Sequence, residues 1–179
     1  MEKTIAQYQS VMETCQSLFL KKMQDYGTAW RILRPESITD QLLIKALRIR
    51  SIEEKGTAMI SEDSRSEFIG IINYSIMGII QLQLTPSGEE MDPDEVIRLY
   101  QHHFENAREL MKAKNHDYGE AWRQMRISSY TDLILMKIRR VKQIEDNKGQ
   151  TLVSEGVEAN YLDMINYAVF AIIKIDYES

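Results

Sequence analysis

The chain contains the same sequence pattern twice, and this repeat restricts its possible folds more than any other feature. Residues 22–55 align without a gap on residues 114–147, and 16 of the 34 aligned positions are identical. After one inserted residue the similarity continues, so that Glu62 matches Glu155. Two copies of one unit therefore fill most of the 179 residues.

Because repeated sequence adopts repeated structure, we expect two related three-helix units. The first, degenerate unit covers residues 1–84, and the second, which carries the fuller motif, covers residues 91–179. The linker at residues 85–90 is short and polar, which favours packing of the units on each other over independent motion. Two related units in one chain most simply pack as a pseudo-two-fold pair, so we expect one compact domain.

Apolar residues at helical spacing predict an all-α fold. In the second unit Asp92 and Pro93 form a helix start. Apolar side chains then follow at spacings of three or four, namely Val96, Tyr100, Phe104, Ala107 and Met111. We expect helices near residues 3–24, 37–55 and 63–84, then from Asp92 to the Asp117-Tyr118-Gly119 turn, at 129–147 and at 155–176. The predicted fold class is two tandem three-helix repeats packed as a pseudo-two-fold helical bundle.

Composition excludes several classes of protein. Hydrophobic residues make up 44% of the chain and charged residues 27%, as is typical of a globular protein with a buried core. The 22 Lys and Arg against 27 Asp and Glu give a net charge of −5, so we expect no strong binding to nucleic acid. No apolar segment has the length of a membrane span or the pattern of a signal sequence, so we expect no membrane partner.

Cys15 is the only cysteine. A single cysteine excludes an internal disulfide framework and a zinc site built from cysteines. Together with the absence of a signal sequence, it predicts a reducing, cytoplasmic environment. Assembly into a homo-oligomer is an open alternative.

Two cations in the middle helix of each unit lie on a partly apolar stripe. Lys137 and Arg140 are flanked by Leu133 and Ile144 at helical spacing, and the first unit repeats the pair as Lys45 and Arg48. A buried unpaired cation is costly, so these side chains must meet anions. The anions are either protein carboxylates or the phosphates of a ligand, and the alternative is that both side chains extend to a solvated edge of the helix.

A second repeated element precedes this helix. In the second unit it reads Lys114, Asp117, Tyr118 and Gly119, followed by Trp122. The indole can stack on a nucleobase or can pack in the core. Asp117 can pair with a lysine such as Lys137 or can bind a metal ion, and the sequence alone leaves both readings open.

The last helix carries the remaining polar candidates, Glu155, Asp163 and Asn166. Glu155 and Asp163 are eight residues apart, which is roughly 12 Å along a helix and too far for both to bind one ion directly. Asp163 and Asn166 precede an apolar run and are expected to point inward.

The polar and aromatic candidates of the second unit form one pattern, which consists of Lys114, Asp117, Tyr118, Gly119, Trp122, Lys137, Arg140, Glu155, Asp163 and Asn166. This pattern resembles the nucleotide-modification-associated domain family of bacteria and phages. The resemblance covers nearly the whole chain. It implies a link to nucleotides, but it implies no particular reaction, because the name of the family reflects genomic association.

The short helices and the Asp163 region are also similar, more distantly, to all-α nucleoside triphosphate pyrophosphohydrolases of the MazG and dimeric dUTPase type. That resemblance implies magnesium held by a Glu-x-x-Glu helix and a Glu-x-x-Asp helix. The second unit departs from it, with Asn160 where Glu is expected before Asp163. The first unit has Glu67 but carries Gly70 in place of the aspartate.

Three hypotheses follow. The first is a magnesium-dependent (deoxy)nucleotide pyrophosphohydrolase, with Asp117, Glu155 and Asp163 as catalytic and metal-binding residues. In this hypothesis the substrate is held by Lys114, Tyr118, Trp122, Lys137, Arg140 and Asn166. The second is a module that binds a nucleotide or another phosphate-bearing small molecule without chemistry. The third is a structural or interaction protein in which Lys137 and Arg140 bridge to Asp117 and Glu155.

Overall fold

The computed structural model describes residues 1–56 and 63–178, and these residues form six α-helices, two short 3-10 helices and no strand. Glu62 lies outside the described residues. The α-helices are α1 (Glu2–Tyr26), α2 (Pro35–Lys55), α3 (Ser64–Gln83), α4 (Pro93–Tyr118), α5 (Ile127–Asp146) and α6 (Val157–Tyr177). The all-α prediction is therefore confirmed.

The ends of α1 and α4 differ from the predicted ends, because a glycine caps each of these helices. Helix α4 continues through Asp117 to Tyr118, and Gly119 caps its C-terminal end. Glycine readily adopts the φ of 65° found at this position. Gly27 ends α1 in the same way with a φ of 61°. A 3-10 helix that was not predicted follows each turn, at Ala29–Ile32 and at Ala121–Gln124.

The last helix of the second unit is shorter than predicted. It begins at Val157, after Gly156, and not at Glu155. Glu155 therefore belongs to an exposed loop before α6, and the predicted spacing along one helix between Glu155 and Asp163 is wrong.

Helices α3 and α6 form the centre of the bundle and pack directly on each other. Both are apolar nearly all round, as is typical of a fully buried helix. Gly78 on α3 allows the close approach, because a Cβ atom there would lie 2.9 Å from the ring of Tyr161 on α6. Helices α2 and α5 lie against this central pair and against each other, and α1 and α4 also contact it.

The contact between α2 and α5 is reciprocal. The Thr39 hydroxyl on α2 donates to the Glu145 carboxylate on α5 at 3.0 Å, and the Thr131 hydroxyl on α5 donates to Glu53 on α2. Each residue of the second pair is the repeat equivalent of a residue of the first. Such exchange of equivalent contacts is what a two-fold interface produces.

The charged residues at the ends of this interface repeat the exchange. Lys142 on α5 pairs with Asp40 on α2 at 2.8 Å, and Arg50 on α2 pairs with Asp132 on α5. Lys142 is the repeat equivalent of Arg50, and Asp132 is that of Asp40. The two units are therefore a pseudo-two-fold pair, as the sequence predicts.

The linker also joins the units, because it returns to the turn of the first unit. Glu90 accepts hydrogen bonds from the Thr28 amide at 2.9 Å and from its hydroxyl at 3.0 Å. The Met91 amide donates in turn to the Thr28 hydroxyl at 2.9 Å. Among the described residues, no helix combines the length and apolar character needed to span a membrane.

Candidate functional site

The strongest polar feature of the second unit is a buried carboxylate held by two lysines. Asp163 on α6 accepts from Lys114 on α4 at 2.8 Å through Oδ1 and from Lys137 on α5 at 2.8 Å through Oδ2. The side chains of Asp163 and Lys137 are only 7% and 9% exposed. Lys137, one of the two cations on the partly apolar stripe of α5, therefore has a protein carboxylate as its partner.

The electrostatics of this cluster favour its charged form. Burial raises the pKa of Asp163, but the hydrogen bonds from Lys114 and Lys137 outweigh burial and hold that pKa below its ordinary value. For Lys114, burial lowers the pKa, and the bond to Asp163 more than compensates, so its pKa is raised. The three groups form one ionic network with a net charge of +1.

Neither predicted bridging partner of Lys137 takes that role. Asp117 is exposed at the end of α4, where its Oδ1 lies 3.1 Å from Nδ1 of His116. Glu155 is exposed in the loop before α6. The hypothesis of a Lys137 bridge to Asp117 or Glu155 is therefore wrong, because the paired carboxylate is Asp163.

Arg140 lies one helical turn beyond Lys137 and is exposed. It forms no ion pair with a carboxylate of residues 1–56 or 63–178. Together with Lys137, Glu155 and Asn160 it lines an open cleft of about 740 Å³ between α5 and the loop before α6. We call this the outer cleft.

Of the two aromatic candidate residues in the second unit, one lies in the core and the other lies on the surface. The Trp122 ring stacks on Phe170 of α6, with centroids 4.2 Å apart and planes 10° apart. Trp122 is only 7% exposed, whereas Tyr118 is 78% exposed. The Trp122 indole therefore already has an aromatic partner on one face, and its Nε1 has no hydrogen-bond partner among the described residues.

Asn166 is also engaged within the protein. Its Oδ1 accepts from the Tyr8 hydroxyl at 2.7 Å, and its Nδ2 donates to the Ala107 carbonyl at 2.9 Å. Its amide thus ties α6 to α1 and α4. A cavity of about 140 Å³ remains beside it, bordered also by Lys114, Asp163 and Trp122, and we call it the second-unit cavity.

The equivalent space in the first unit is much larger. A cavity of about 500 Å³ opens between α1, the turn that follows it and α3, and we call it the first-unit cavity. Eleven of its lining positions match the eleven that line the second-unit cavity, so the two are repeat equivalents. Its aromatic lining consists of Phe19, Tyr26, Trp30 and Tyr74.

Two substitutions between the repeats explain the difference in volume. Gly70 stands where the second unit has Asp163, so no side chain projects from α3 at that point. Met77 stands where the second unit has Phe170, so Trp30 lacks the stacking partner that Trp122 has. Trp30 is half-buried and meets Phe19 at a centroid distance of 6.2 Å.

The charges of the first-unit cavity are arranged differently from those of the second unit. Glu67 on α3 is 4% exposed and pairs with Arg48, while its Oε2 lies 3.6 Å from Nζ of Lys45. Lys22, the equivalent of Lys114, is exposed at the cavity and forms no ion pair with a described carboxylate. The cavity therefore combines aromatic walls with a lysine that has no protein counter-ion among the described residues.

The described side chains offer few donor groups that suit a magnesium ion. No group of three or more His, Cys, Asp or Glu side chains suited to a metal ion occurs within the described part of the chain. Both oxygens of Asp163 accept from lysine ammonium groups, so a metal ion there would first have to displace a lysine. At Asp163 the described donor groups therefore do not fit a resident magnesium ion.

Sequence reasoning did not select the residues of the first-unit cavity. The signal was present, because Lys22, Trp30 and Lys45 are identical to their second-unit equivalents. The sequence pattern indicates only that Gly70 removes a carboxylate, whereas in the structure the glycine also lets the Lys45 side chain cross α3 at that point.

Comparison with known proteins agrees with the repeat. The model of a family described as nucleotide modification associated domain 1 matches residues 22–82 and, a second time, residues 114–175. One matched segment lies in each unit of the pseudo-two-fold pair, and each leaves out most of the first helix of its unit. No curated protein and no solved structure matches the chain. The likeness to pyrophosphohydrolases of the MazG type stays a prediction.

Proposed function

Because the chain belongs to the nucleotide modification associated domain 1 family, we propose that it binds a nucleotide, and that the first-unit cavity is the binding site. The observation that carries this proposal is the combination of a 500 Å³ cavity, aromatic walls and Lys22 at its edge. Ligand sites are typically concave and mostly apolar, with a few polar groups that orient the ligand.

The aromatic part of the cavity suits a nucleobase. Trp30 is half-buried and lines the cavity, and Tyr74 borders the same space from α3. A base stacked on an aromatic side chain gains about 1 to 3 kcal/mol. In this proposal Trp30 takes the stacking role that sequence reasoning gave to Trp122.

The cationic part suits phosphate. Lys22 and Lys45 both line the cavity, and a phosphate between lysine ammonium groups gains charge-assisted hydrogen bonds. Because Glu67 already balances part of the charge of Lys45 and Arg48, Lys22 supplies most of the unbalanced positive charge.

Tryptophan fluorescence tests the proposal, because the chain has one tryptophan in each unit. Trp122→Phe leaves Trp30 as the only reporter, and Trp30→Phe leaves Trp122. We expect ribo- and deoxyribonucleotides to quench the fluorescence of the Trp122→Phe variant in a saturable manner and to leave the Trp30→Phe variant unchanged. Absence of a saturable change in Trp122→Phe, together with absence of binding heat in the wild-type protein, would contradict the proposal.

The hydrolase hypothesis is tested in the same samples. Each nucleoside triphosphate is incubated with the protein, with and without Mg²⁺, and the products are separated by chromatography. From the pairing of Asp163 with Lys114 and Lys137 we expect binding without release of monophosphate and pyrophosphate. Magnesium-dependent products that disappear in Asp163→Asn would instead support the pyrophosphohydrolase hypothesis.

A further inference from the structure

The two cavities are repeat equivalents, so the anion in the second-unit cavity indicates where an anion would lie in the first-unit cavity. In the second unit, the carboxylate of Asp163 lies between the ammonium groups of Lys114 and Lys137, 2.8 Å from each. The equivalent lysines of the first unit, Lys22 and Lys45, line the first-unit cavity, where α3 has only a glycine. The first unit thus keeps the two lysines and lacks a carboxylate at the position of Asp163, while Glu67 balances part of the charge of Lys45.

Gly70 lines the first-unit cavity, and the Lys45 side chain covers part of it. A Cβ atom at position 70 would lie 2.9 Å from Cε and 3.1 Å from Nζ of Lys45, so the lysine side chain extends across the glycine. Lys45 is also within 5.5 Å of the Tyr74 ring centroid, which brings the ammonium group close to an aromatic wall. An anion beside Gly70 would therefore meet Lys45 directly.

We propose that the space beside Gly70 is the phosphate subsite of the first-unit cavity, and that Asp163 is a built-in substitute for that phosphate in the second unit. The proposal deepens the nucleotide-binding function and rests on it for the identity of the whole ligand. The subsite itself takes one phosphate group, which belongs either to a nucleotide or to free inorganic phosphate.

This subsite explains why the two cavities differ. In the second unit the lysines are neutralised by a group that is covalently attached to the protein, so a phosphate has to compete with Asp163. In the first unit Glu67, one helical turn before Gly70, pairs with Arg48 and lies 3.6 Å from Lys45, so it competes with a phosphate for Lys45 but leaves Lys22 without a described counter-ion. The glycine that interrupts the motif is therefore the specificity-determining residue.

Two nearly isosteric variants separate charge from size. Gly70→Asp supplies the carboxylate of the second unit, and Gly70→Asn supplies the same shape without the charge. Both substitutions meet the flexible end of Lys45 and not backbone, so both variants are expected to fold. Circular dichroism and urea unfolding check this expectation.

The first measurement compares a nucleoside with its 5′-monophosphate by calorimetry. We expect the wild-type protein to bind the monophosphate about tenfold or more tightly than the nucleoside, which corresponds to about 1.4 kcal/mol. In Gly70→Asn, which fills part of the subsite but leaves the charge of the lysines unbalanced, we expect a smaller preference. In Gly70→Asp we expect this preference to disappear. A preference that persists in Gly70→Asp, or that Gly70→Asn loses equally, would overturn the inference.

The second measurement uses inorganic phosphate alone and does not depend on the nucleotide proposal. We expect phosphorus NMR to show the strongest line broadening of phosphate with the wild-type protein, less with Gly70→Asn and the least with Gly70→Asp. If nucleotides fail to bind but this difference is found, the subsite stands and the proposed function falls. Equal broadening by all three proteins, or none, would overturn the subsite.

Discussion

The hydroxyl of Thr39 lies 3.0 Å from a carboxylate oxygen of Glu145 and 2.7 Å from the hydroxyl of Tyr161, so one threonine joins helices from both units. The equivalent pair, Thr131 and Glu53, lacks a tyrosine hydroxyl at the corresponding position, because Phe68 stands where the other half has Tyr161. The pseudo-two-fold interface is therefore symmetric in its pairs and asymmetric in what surrounds them.

Glu145 is expected to make stability depend on pH. The pKa of Glu145 is raised from 4.5 to about 7, chiefly by burial and to a smaller extent by Glu36 and Asp40, against the opposing effects of Thr39 and Lys142. A raised carboxyl pKa means that the folded state binds more protons, so this contribution to stability is complete below about pH 4.5 and is lost as the pH rises through 7.

We therefore expect Glu145→Gln to match the wild-type protein near pH 5 and to exceed it at pH 8 by roughly 1 kcal/mol, once solvent screening is allowed for. Urea unfolding at a series of pH values measures the difference. The exposed neighbour Asp146→Asn is the control and should follow the wild-type curve. A Glu145→Gln variant that parallels the wild type at every pH would disprove the assignment.

Asp163→Ala is expected to destabilise the protein by about 3 kcal/mol, because it leaves the buried ammonium of Lys137 without its counter-ion. The exposed Asp117→Ala is the matched control, with an expected change below about 0.5 kcal/mol. Urea unfolding provides the measurement.

The same variant tests the role of Asp163 as an internal anion. Phosphate that binds the folded state in place of the lost carboxylate stabilises it by mass action, so we expect phosphate to restore part of the lost stability. The comparison is made against chloride at equal ionic strength, with Asp117→Ala alongside. Equal stabilisation of both variants by phosphate would indicate a general salt effect.

The two tryptophans are expected to differ in their contribution to stability. Trp122 is 7% exposed and stacked on Phe170, so Trp122→Ala should cost about 3 to 5 kcal/mol. Trp30 is half-buried at a cavity, so Trp30→Ala should cost less than about 2 kcal/mol while it abolishes nucleotide binding. Similar unfolding free energies for the two variants would contradict this division.

Lys22 and its neighbour Lys21 provide a direct test of the cationic part of the first-unit cavity. Both are exposed on α1, but only Lys22 lines that cavity. We expect Lys22→Ala to weaken binding of a nucleoside monophosphate about tenfold and to leave nucleoside binding unchanged. Lys21→Ala should bind both ligands as the wild-type protein does, as measured by calorimetry.

Much of the fold could be predicted from the sequence. Helical spacing of apolar residues indicates helices, and an offset of 92 residues between copies indicates two equivalent units. Helix ends were less predictable, because the start of α6 at Val157 depends on the loop that precedes it and not on the periodic pattern. The 3-10 helices after Gly27 and Gly119 were missed for the same reason.

The repeat and the helical spacing alone indicate a duplicated all-α bundle in which Lys137 needs an anion. The identity of that anion depends on how the helices pack, because Asp163 reaches Lys114 and Lys137 from a third helix, 49 and 26 positions away in the chain. Helix packing also decides which of the two equivalent cavities is larger. The volume of the first-unit cavity depends on how the side chains of three helices pack around Gly70 and Met77. A local sequence pattern does not predict this packing.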